Sequence, residues 1–200
     1  MRTILFLCLS ILFLPLTLMA EDNQLDLSQG NVTITENGTY TITSNGNETS
    51  NHIIVNENLD NVSITLDNVK VVIPGGKSLN RPVTSAAPMI IKERSKVTLT
   101  LKNQNSLICN SNSYNKNSSP GLDILSNAEV TIQGDGNLTV QGGDGANYYG
   151  APGIRCTEAT LIIDGGTIVA TGNNTSAGIK IVPPPIPIPP IIPAKNPIII

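Results

Sequence analysis

Short alternations of aliphatic and polar residues run along most of the chain. Val32-Thr33-Ile34-Thr35 is followed by Tyr40-Thr41-Ile42, and a similar pair of alternations returns several times. The copies begin at Val32, Val62, Val97, Val130 and near Leu161. Such a period of two predicts strands with one buried and one solvated face. No window shows the spacing of apolar residues that an amphipathic helix requires.

A third short apolar piece precedes each later copy. These pieces are Ile53-Ile54-Val55, Met89-Ile90-Ile91, Leu122-Asp123-Ile124, Ile154-Arg155-Cys156 and Ile179-Lys180-Ile181. Three short strands per repeat, each unable to bury its apolar side alone, predict an all-β parallel β-helix of about five coils. Ile64, Leu99 and Ile132 should then line up from coil to coil. An antiparallel β-sandwich with hairpins at similar spacing is the alternative.

The connections within a repeat are unequal in length. Short turns join the first strand to the second and the second to the third, whereas long segments follow the third strand. The long segments are 43–51, 74–88, 110–121, 141–153 and 171–178. In a stacked coil they would lie above one another along one flank, and long loops on a rigid scaffold commonly carry binding function.

Both ends of the chain differ from the repeats. Residues 1–20 combine one basic residue, an apolar run and a small residue before acidic sequence, which predicts a secretory signal peptide cleaved after Ala20. An uncleaved signal anchor is the alternative. No other segment predicts a spanning helix, so the mature chain is expected to be secreted or displayed at the cell surface. Residues 21–182 form the predicted β-helix domain.

Residues 183–200 form a proline-rich, low-complexity tail. Dense proline favours an extended conformation and excludes a helix or an ordinary sheet strand. The tail can serve as a semi-rigid stalk, as a ligand for a proline-recognition module, or as a cover for the end of the solenoid. A truncated reading frame is an equally simple explanation.

Composition and charge exclude several classes of protein. Charged residues are 14% of the chain and the formal net charge is −3, which argues against a nucleic-acid binder. His52 is the sole histidine, and the cysteine spacing does not fit zinc. In an oxidising compartment Cys109 and Cys156 are disulfide candidates, with two small buried apolar residues as the alternative.

Asn-x-Ser/Thr triplets agree with the predicted secretion. Those in turn-like stretches are the candidates for glycosylation, because an acceptor asparagine must be exposed. They are Asn47, Asn117, Asn173 and Asn174. Similar triplets that begin strands, such as Asn31 and Asn61, are explained equally well as turn residues.

The repeated units and their glycine turns carry a family resemblance. With Gly134-Asp135-Gly136-Asn137 and Asp164-Gly165-Gly166-Thr167, the segment 30–182 resembles secreted right-handed parallel β-helix proteins of the pectate-lyase-like superfamily. Within it, the carbohydrate-binding, adhesin-like surface proteins are the most similar. The resemblance implies a right-handed coil and an extracellular polysaccharide or glycoprotein as partner. The paired aspartates and Gly-His-Gly of the related polygalacturonases are missing.

One glycine-rich loop has the side chains of a sugar site. Tyrosines can stack on a sugar ring, while Asp, Asn and Arg can hydrogen-bond its hydroxyls or pair with a uronate. The candidate ligand-binding residues are Asp144, Asn147, Tyr148, Tyr149, Arg155 and, from the preceding long loop, Tyr114. The alternative is that these tyrosines merely cover the edge of the coil.

Three functions remain compatible with these features. The leading hypothesis is a non-catalytic carbohydrate-binding or adhesion module that uses the stacked long loops and needs no cofactor. A divergent polysaccharide lyase would require calcium, for which Asp123, Asp135 and Asp144 are the weak candidates, and no catalytic residue can be assigned. The third is a structural spacer without a ligand.

Overall fold

The chain forms three parallel β-sheets and almost no helix. A computed structural model describes residues 23–74, 87–110, 119–144 and 150–184. The predicted signal peptide and most of the proline-rich tail therefore lie outside the described residues. In the described part the single helix is a short 3₁₀ turn, η1 (Leu27–Gln29). No helix in these four ranges is long and apolar enough to cross a membrane.

Successive strands go to different sheets, so that each sheet collects nearly every third strand. Sheet 1 contains β2 (Val32–Ile34), β5 (Ile53–Val55), β8 (Met89–Ile91), β11 (Leu122–Ile124), β14 (Ile154–Thr157) and β17 (Ile179–Val182). Sheet 2 contains β1 (Asn23–Asp26), β3 (Gly38–Thr43), β6 (Val62–Asp67), β9 (Lys96–Lys102), β12 (Glu129–Gly134) and β15 (Thr160–Ile163). Sheet 3 contains β4 (Glu48–Thr49), β7 (Lys70–Ile73), β10 (Gln104–Cys109), β13 (Asn137–Gln141) and β16 (Thr167–Thr171).

All of the described strand pairs are parallel. β6 pairs with β9 and β9 with β12, which places Ile64 beside Leu99 and Leu99 beside Ile132. The predicted alignment of these three residues is therefore confirmed, and the antiparallel sandwich is excluded. Three parallel sheets visited in turn are compatible with a β-helix solenoid.

The core consists of columns of aliphatic side chains that face inward from all three sheets. Alternate positions along the strands are buried, as in β6, where Val62, Ile64 and Leu66 are buried and the residues between them are not. Thr98 and Thr100 face outward from β9. β-Branched and aliphatic residues stabilise such a surface by packing against the same position of the next strand.

Left-handed backbone conformations form the corners between the sheets. Asn45, Asn68 and Asn103 have φ values of 53°, 54° and 53° and lie where sheet 2 turns into sheet 3. Asparagine tolerates this conformation better than most residues. At a later turn Gly134 has a φ of 104°, and a Cβ there would lie 2.4 Å from the Leu101 carbonyl oxygen. The chain is thus rich in asparagine and glycine because its corners need residues that tolerate a positive φ.

A buried asparagine ties neighbouring strands together near one corner. Asn105 is 4% exposed; its Oδ1 accepts a hydrogen bond from the Val69 backbone at 3.0 Å. Its Nδ2 donates to the carbonyl oxygens of Lys102 at 2.8 Å and Asn137 at 3.2 Å. One side chain therefore satisfies backbone groups of three successive passes of the chain, which a buried polar group must do to be tolerated.

The two ends of the sheets are finished differently. At the N-terminal end Leu27 of η1 is fully buried, and its carbonyl oxygen accepts a hydrogen bond from Asn51 Nδ2 at 2.7 Å. At the other end β15, β16 and β17 each pair with one strand, and several of their apolar side chains are exposed. These are Ile162, Ile163, Val169, Ile179 and Ile181.

Candidate functional site

The outer face of sheet 1 carries a column of residues that differs from the threonine-rich outer face of sheet 2. Ile54 lies beside Ile90, Ile90 beside Asp123, and Asp123 beside Arg155. Lys180 continues the column from β17. The long connections end just before the strands of this sheet. Sheet 1 therefore has an apolar part, at Ile54 and Ile90, and a charged part, at Asp123, Arg155 and Lys180.

Asp123 and Arg155 form an ion pair on this face. Arg155 Nε donates to Asp123 Oδ1 at 2.9 Å, and Nη2 donates to Oδ2 at 2.5 Å. The side chain of Asp123 is 2% exposed, whereas that of Arg155 is 30% exposed. Two parallel hydrogen bonds fix the guanidinium plane, as in other bidentate arginine–carboxylate pairs. Arg155 is thus held in one orientation at the edge of solvent.

A groove of about 560 Å³ lies at the corner between sheets 1 and 2. Its walls combine half-buried aliphatic side chains with charged groups of both signs. The lining residues are Ile54, Glu57, Ile90, Lys92, Glu93, Arg94 and Leu125. An apolar floor with a few converging polar groups is the usual composition of a small-molecule site.

The two cations of the groove are held by side chains from the preceding pass of the chain. Lys92 Nζ donates to Asn56 Oδ1 at 2.9 Å and lies 3.5 Å from a carboxylate oxygen of Glu57. Arg94 Nε donates to Asn58 Oδ1 at 2.7 Å. Both asparagine partners precede their cations by 36 residues, the offset that also aligns Ile54 with Ile90. Strand register therefore fixes the positions of the cations.

Arg94 occupies a backbone conformation that disfavours its side chain. Its φ is 58°, in a corner where the neighbouring Asn58 and Asn127 have φ values of 63° and 60°. The Asn58 backbone N–H donates to the Glu93 carbonyl and the Arg94 N–H to the Ser126 carbonyl, so these corners stack on one another. A non-glycine residue in this region is strained, and such strain concentrates at functional sites.

The groove is lined by equal numbers of acidic and basic side chains. The pKa of Glu57 is lowered, first by a hydrogen bond from its own backbone N–H and next by the charge of Lys92. Glu57 therefore remains a carboxylate at neutral pH and accepts hydrogen bonds. With Lys92 and Arg94 as donors and Glu93 as a second carboxylate, the groove has both kinds of hydrogen-bonding group and no formal net charge.

A second, smaller hollow of about 240 Å³ lies on the outer side of sheet 3. It is lined mainly by polar residues, among them Lys70, Gln104, Ser106 and Thr139. Lys70 lies 3.4 Å from a carboxylate oxygen of Glu48, and both side chains are about half exposed. The hollow lacks the aliphatic floor of the sheet 1 groove.

Among the predicted loop residues, Asp144 and Arg155 lie within the described ranges. Asn174 Nδ2 donates to Asp144 Oδ1, while Arg155 is paired with Asp123. No hydrogen bond or ion pair between described residues joins Asp144 to Arg155. Tyr114, Asn147, Tyr148 and Tyr149 lie outside the described residues, so their part in a site stays a prediction.

The calcium candidates occupy different parts of the fold. Asp123 lies in sheet 1, Asp135 in the turn between β12 and β13, and Asp144 beyond the end of β13. Within the described ranges, no three His, Cys, Asp or Glu side chains are grouped as metal ligands would be. The three aspartates therefore do not form one site.

The predicted disulfide between Cys109 and Cys156 is not formed, and both side chains are buried. Cys109 ends β10 of sheet 3, and Cys156 lies in β14 of sheet 1, beside Ile124 of β11. They belong to different sheets and are separated along the stack, whereas a disulfide requires Cα atoms about 4.4–6.8 Å apart. Burial raises the pKa of the Cys156 thiol to about 11, with a further contribution from the Asp123 charge. Both behave as small apolar residues.

The glycosylation candidates differ in their surroundings. Asn47 and Asn174 are exposed and Asn173 is half-buried, while Asn117 lies outside the described residues. The amide nitrogen of Asn174 is already engaged by Asp144. The strand-initiating asparagines act in turns, since Asn31 Oδ1 accepts from the His52 backbone and Asn37 Oδ1 from that of Asn61. Modification itself stays a prediction.

Sequence reasoning missed the groove at the corner of sheets 1 and 2. Lys92 and Arg94 follow β8 and look like solvated turn residues when the chain is considered alone. The sequence feature that could have revealed it is the alignment of Ile54-Val55-Asn56 with Ile90-Ile91-Lys92. This alignment places Lys92 beside Asn56 and, two residues later, Arg94 beside Asn58. The groove becomes evident when equivalent positions of successive repeats are aligned.

Comparison with known proteins gives one match. A family model described as "Carbohydrate-binding domain-containing protein" matches residues 28–181. No curated protein and no solved structure matches the chain. The matched range contains the candidate groove and nearly all of the described strands.

Proposed function

The chain belongs to the carbohydrate-binding domain-containing family, and from this premise we propose that it is a non-catalytic carbohydrate-binding module. The premise supports a carbohydrate as the partner, and the groove at the corner of sheet 1 carries the proposal for this chain. Aliphatic side chains in its floor can pack against the C–H face of a sugar ring. Its carboxylates and cations can exchange hydrogen bonds with the hydroxyls.

We further propose that the domain is a right-handed parallel β-helix of about five coils, related to the pectate-lyase-like superfamily. Support comes from the order of strands in the three sheets and from the parallel pairing throughout the described part. Connections between parallel strands of one sheet are right-handed in about 98% of cases. In this arrangement the long connections would line one flank beside sheet 1.

The binding surface would extend from the groove across the outer face of sheet 1 to this flank. Arg155, fixed by Asp123, would then present its guanidinium edge on this surface, and Asn147, Tyr148 and Tyr149 precede it closely in the sequence. A polysaccharide is long enough to contact both regions, whereas a single sugar is not. The predicted signal peptide supports secretion or display at the cell surface, with adhesion to an extracellular polysaccharide or glycoprotein as the role.

A glycan array tests this function directly. The full chain, produced with its leader removed after Ala20, is applied to neutral and acidic glycans with and without calcium. Saturable binding to a defined group of glycans is expected, and its absence across the whole array would contradict the proposal. A parallel assay for unsaturated products from polyuronates should give a flat trace, because the proposed function is non-catalytic.

A further inference from the structure

We propose that the corner groove of sheet 1 is a subsite for an uncharged hexose unit and that Arg94 is its specificity-determining residue. This inference rests on the proposed carbohydrate-binding function and assigns the site and the ligand class within it. It is carried by the groove's charge balance, by its aliphatic floor and by the place of Arg94 in its lining.

The floor of the groove is a ledge of adjacent aliphatic side chains. Ile54 and Ile90 lie side by side in parallel register, about 4.8 Å apart as neighbouring strands are. Both are half-buried although they face outward, and the partly buried Leu125 extends the ledge on the next pass. Such a ledge can cover one face of a pyranose ring.

The rim favours an uncharged ligand. Glu57 and Glu93 supply acceptors, Lys92 and Arg94 supply donors, and the four formal charges cancel. A sugar hydroxyl both donates and accepts, so it can be satisfied by this set. An anionic sugar gains no net attraction here, because Glu57 and Glu93 offset the charges of Lys92 and Arg94, and the lowered pKa of Glu57 keeps it ionised.

Arg94 is the donor that the fold presents to a ligand. Its Nε is bonded to Asn58, and within the described ranges its two terminal nitrogens make no hydrogen bond. The residue is exposed and lines the groove, and the bond to Asn58 favours one orientation of its guanidinium. Asparagine at this corner, as at positions 58 and 127, would relieve the strained φ of 58°. The same corner carries Glu158 at a φ of 51° on a later pass, so strain alone does not single out Arg94; its place in the lining of the groove does.

The test compares variants of the full chain by affinity electrophoresis. The gels contain either hydroxyethyl cellulose, a soluble neutral glucan, or polygalacturonate, and the array described above supplies any neutral glycan that binds better. Arg94→Asn keeps a residue suited to the left-handed corner, and Ile90→Thr keeps a strand former while removing part of the ledge. Lys102→Gln, an exposed cation at another corner, is the matched control.

Wild type should be retarded by the neutral glycan and not by polygalacturonate. Loss of a hydrogen bond from a charged donor weakens binding about tenfold or more, so Arg94→Asn should bind at least that much more weakly. Ile90→Thr should also lose affinity, and Lys102→Gln should match wild type. Unchanged binding by Arg94→Asn, or preference for the acidic polymer, overturns the inference while leaving carbohydrate binding intact. Absence of binding by wild type to every glycan would instead reject the proposed function.

Discussion

Two isoleucines in one column of sheet 2 offer a matched test of how the stacked core stabilises the protein. Ile132 in β12 and Ile163 in β15 are partners in the same parallel register. Ile132 is fully buried, whereas Ile163 is 49% exposed because it lies in the last strand of its sheet. The same substitution, isoleucine to alanine, therefore perturbs the middle and the end of one column.

The expected costs follow from burial. Replacing a buried isoleucine by alanine lowers the free energy of unfolding by about 2–5 kcal/mol, because transfer energy is lost and a cavity remains. At Ile163 about half of the side chain is already in water, so the loss should be about 1 kcal/mol with no closed cavity. The loss for Ile132→Ala should thus exceed that for Ile163→Ala by at least about 1 kcal/mol.

Urea unfolding followed by far-ultraviolet circular dichroism measures both variants. Thr131→Ala, on the outward face next to Ile132, is the control and should stay within about 0.5 kcal/mol of wild type. Solenoid proteins can unfold in parts, so the slope of each transition should be compared along with its midpoint. Equal losses in the free energy of unfolding at the two isoleucines would show that the end of the column is as well covered as its centre, contrary to the burial of the two side chains.

Three further predictions use groups whose partners are known. Asn105→Leu should lower the free energy of unfolding by about 2–4 kcal/mol, because it leaves buried backbone groups without hydrogen bonds, and thermal denaturation would reveal this. Arg155→Met should cost about 3 kcal/mol by removing the bidentate partner of buried Asp123, and Asp123→Asn in the same chain should restore part of the loss. The pKa of the Cys156 thiol is raised in the folded state from the ordinary value of 9.0 to about 11, so folding favours the neutral thiol. This preference contributes fully to stability below pH 9.0, and the contribution is lost as the pH rises towards about 11. Urea midpoints of wild type should therefore fall more between these pH values than those of Cys156→Ala, and equal falls would contradict the assignment.

The fold was largely predictable because apolar and polar residues alternate along each strand and the group of three strands recurs along the chain. Alternation in segments such as Val62 to Leu66 identifies the inward positions, and a recurring third apolar piece identifies the extra strand of each repeat. The parallel alignment of Ile64, Leu99 and Ile132 followed from these two observations. The first copy was aligned one strand out of phase, because Val32 pairs with Ile53 and Tyr40 with Ile64. The strands β1 and β4 and the turn η1 were not predicted, and β4 lies within the predicted long segment 43–51.

The candidate site was less predictable because it depends on neighbours that are far apart in sequence. The pairing of Arg155 with Asp123 requires the register of β11 and β14, and alone each looks like a turn or loop charge. The choice between a disulfide and two buried apolar residues stayed open for a related reason: compartment and cysteine number do not say that Cys109 and Cys156 belong to different sheets. The groove with Arg94 likewise exists only when two passes of the chain are aligned.

Hydrogen exchange with and without ligand tests whether a carbohydrate binds on the outer face of sheet 1, as we propose. The full chain is labelled in the absence and presence of the best-binding oligosaccharide from the array, and protection is mapped by peptide. Reduced exchange is predicted in the segments that carry the groove, 54–58 and 90–94, with little change in β7, β10 and β13 of sheet 3. Protection confined to sheet 3, or no protection at a saturating concentration of the oligosaccharide, would contradict the account.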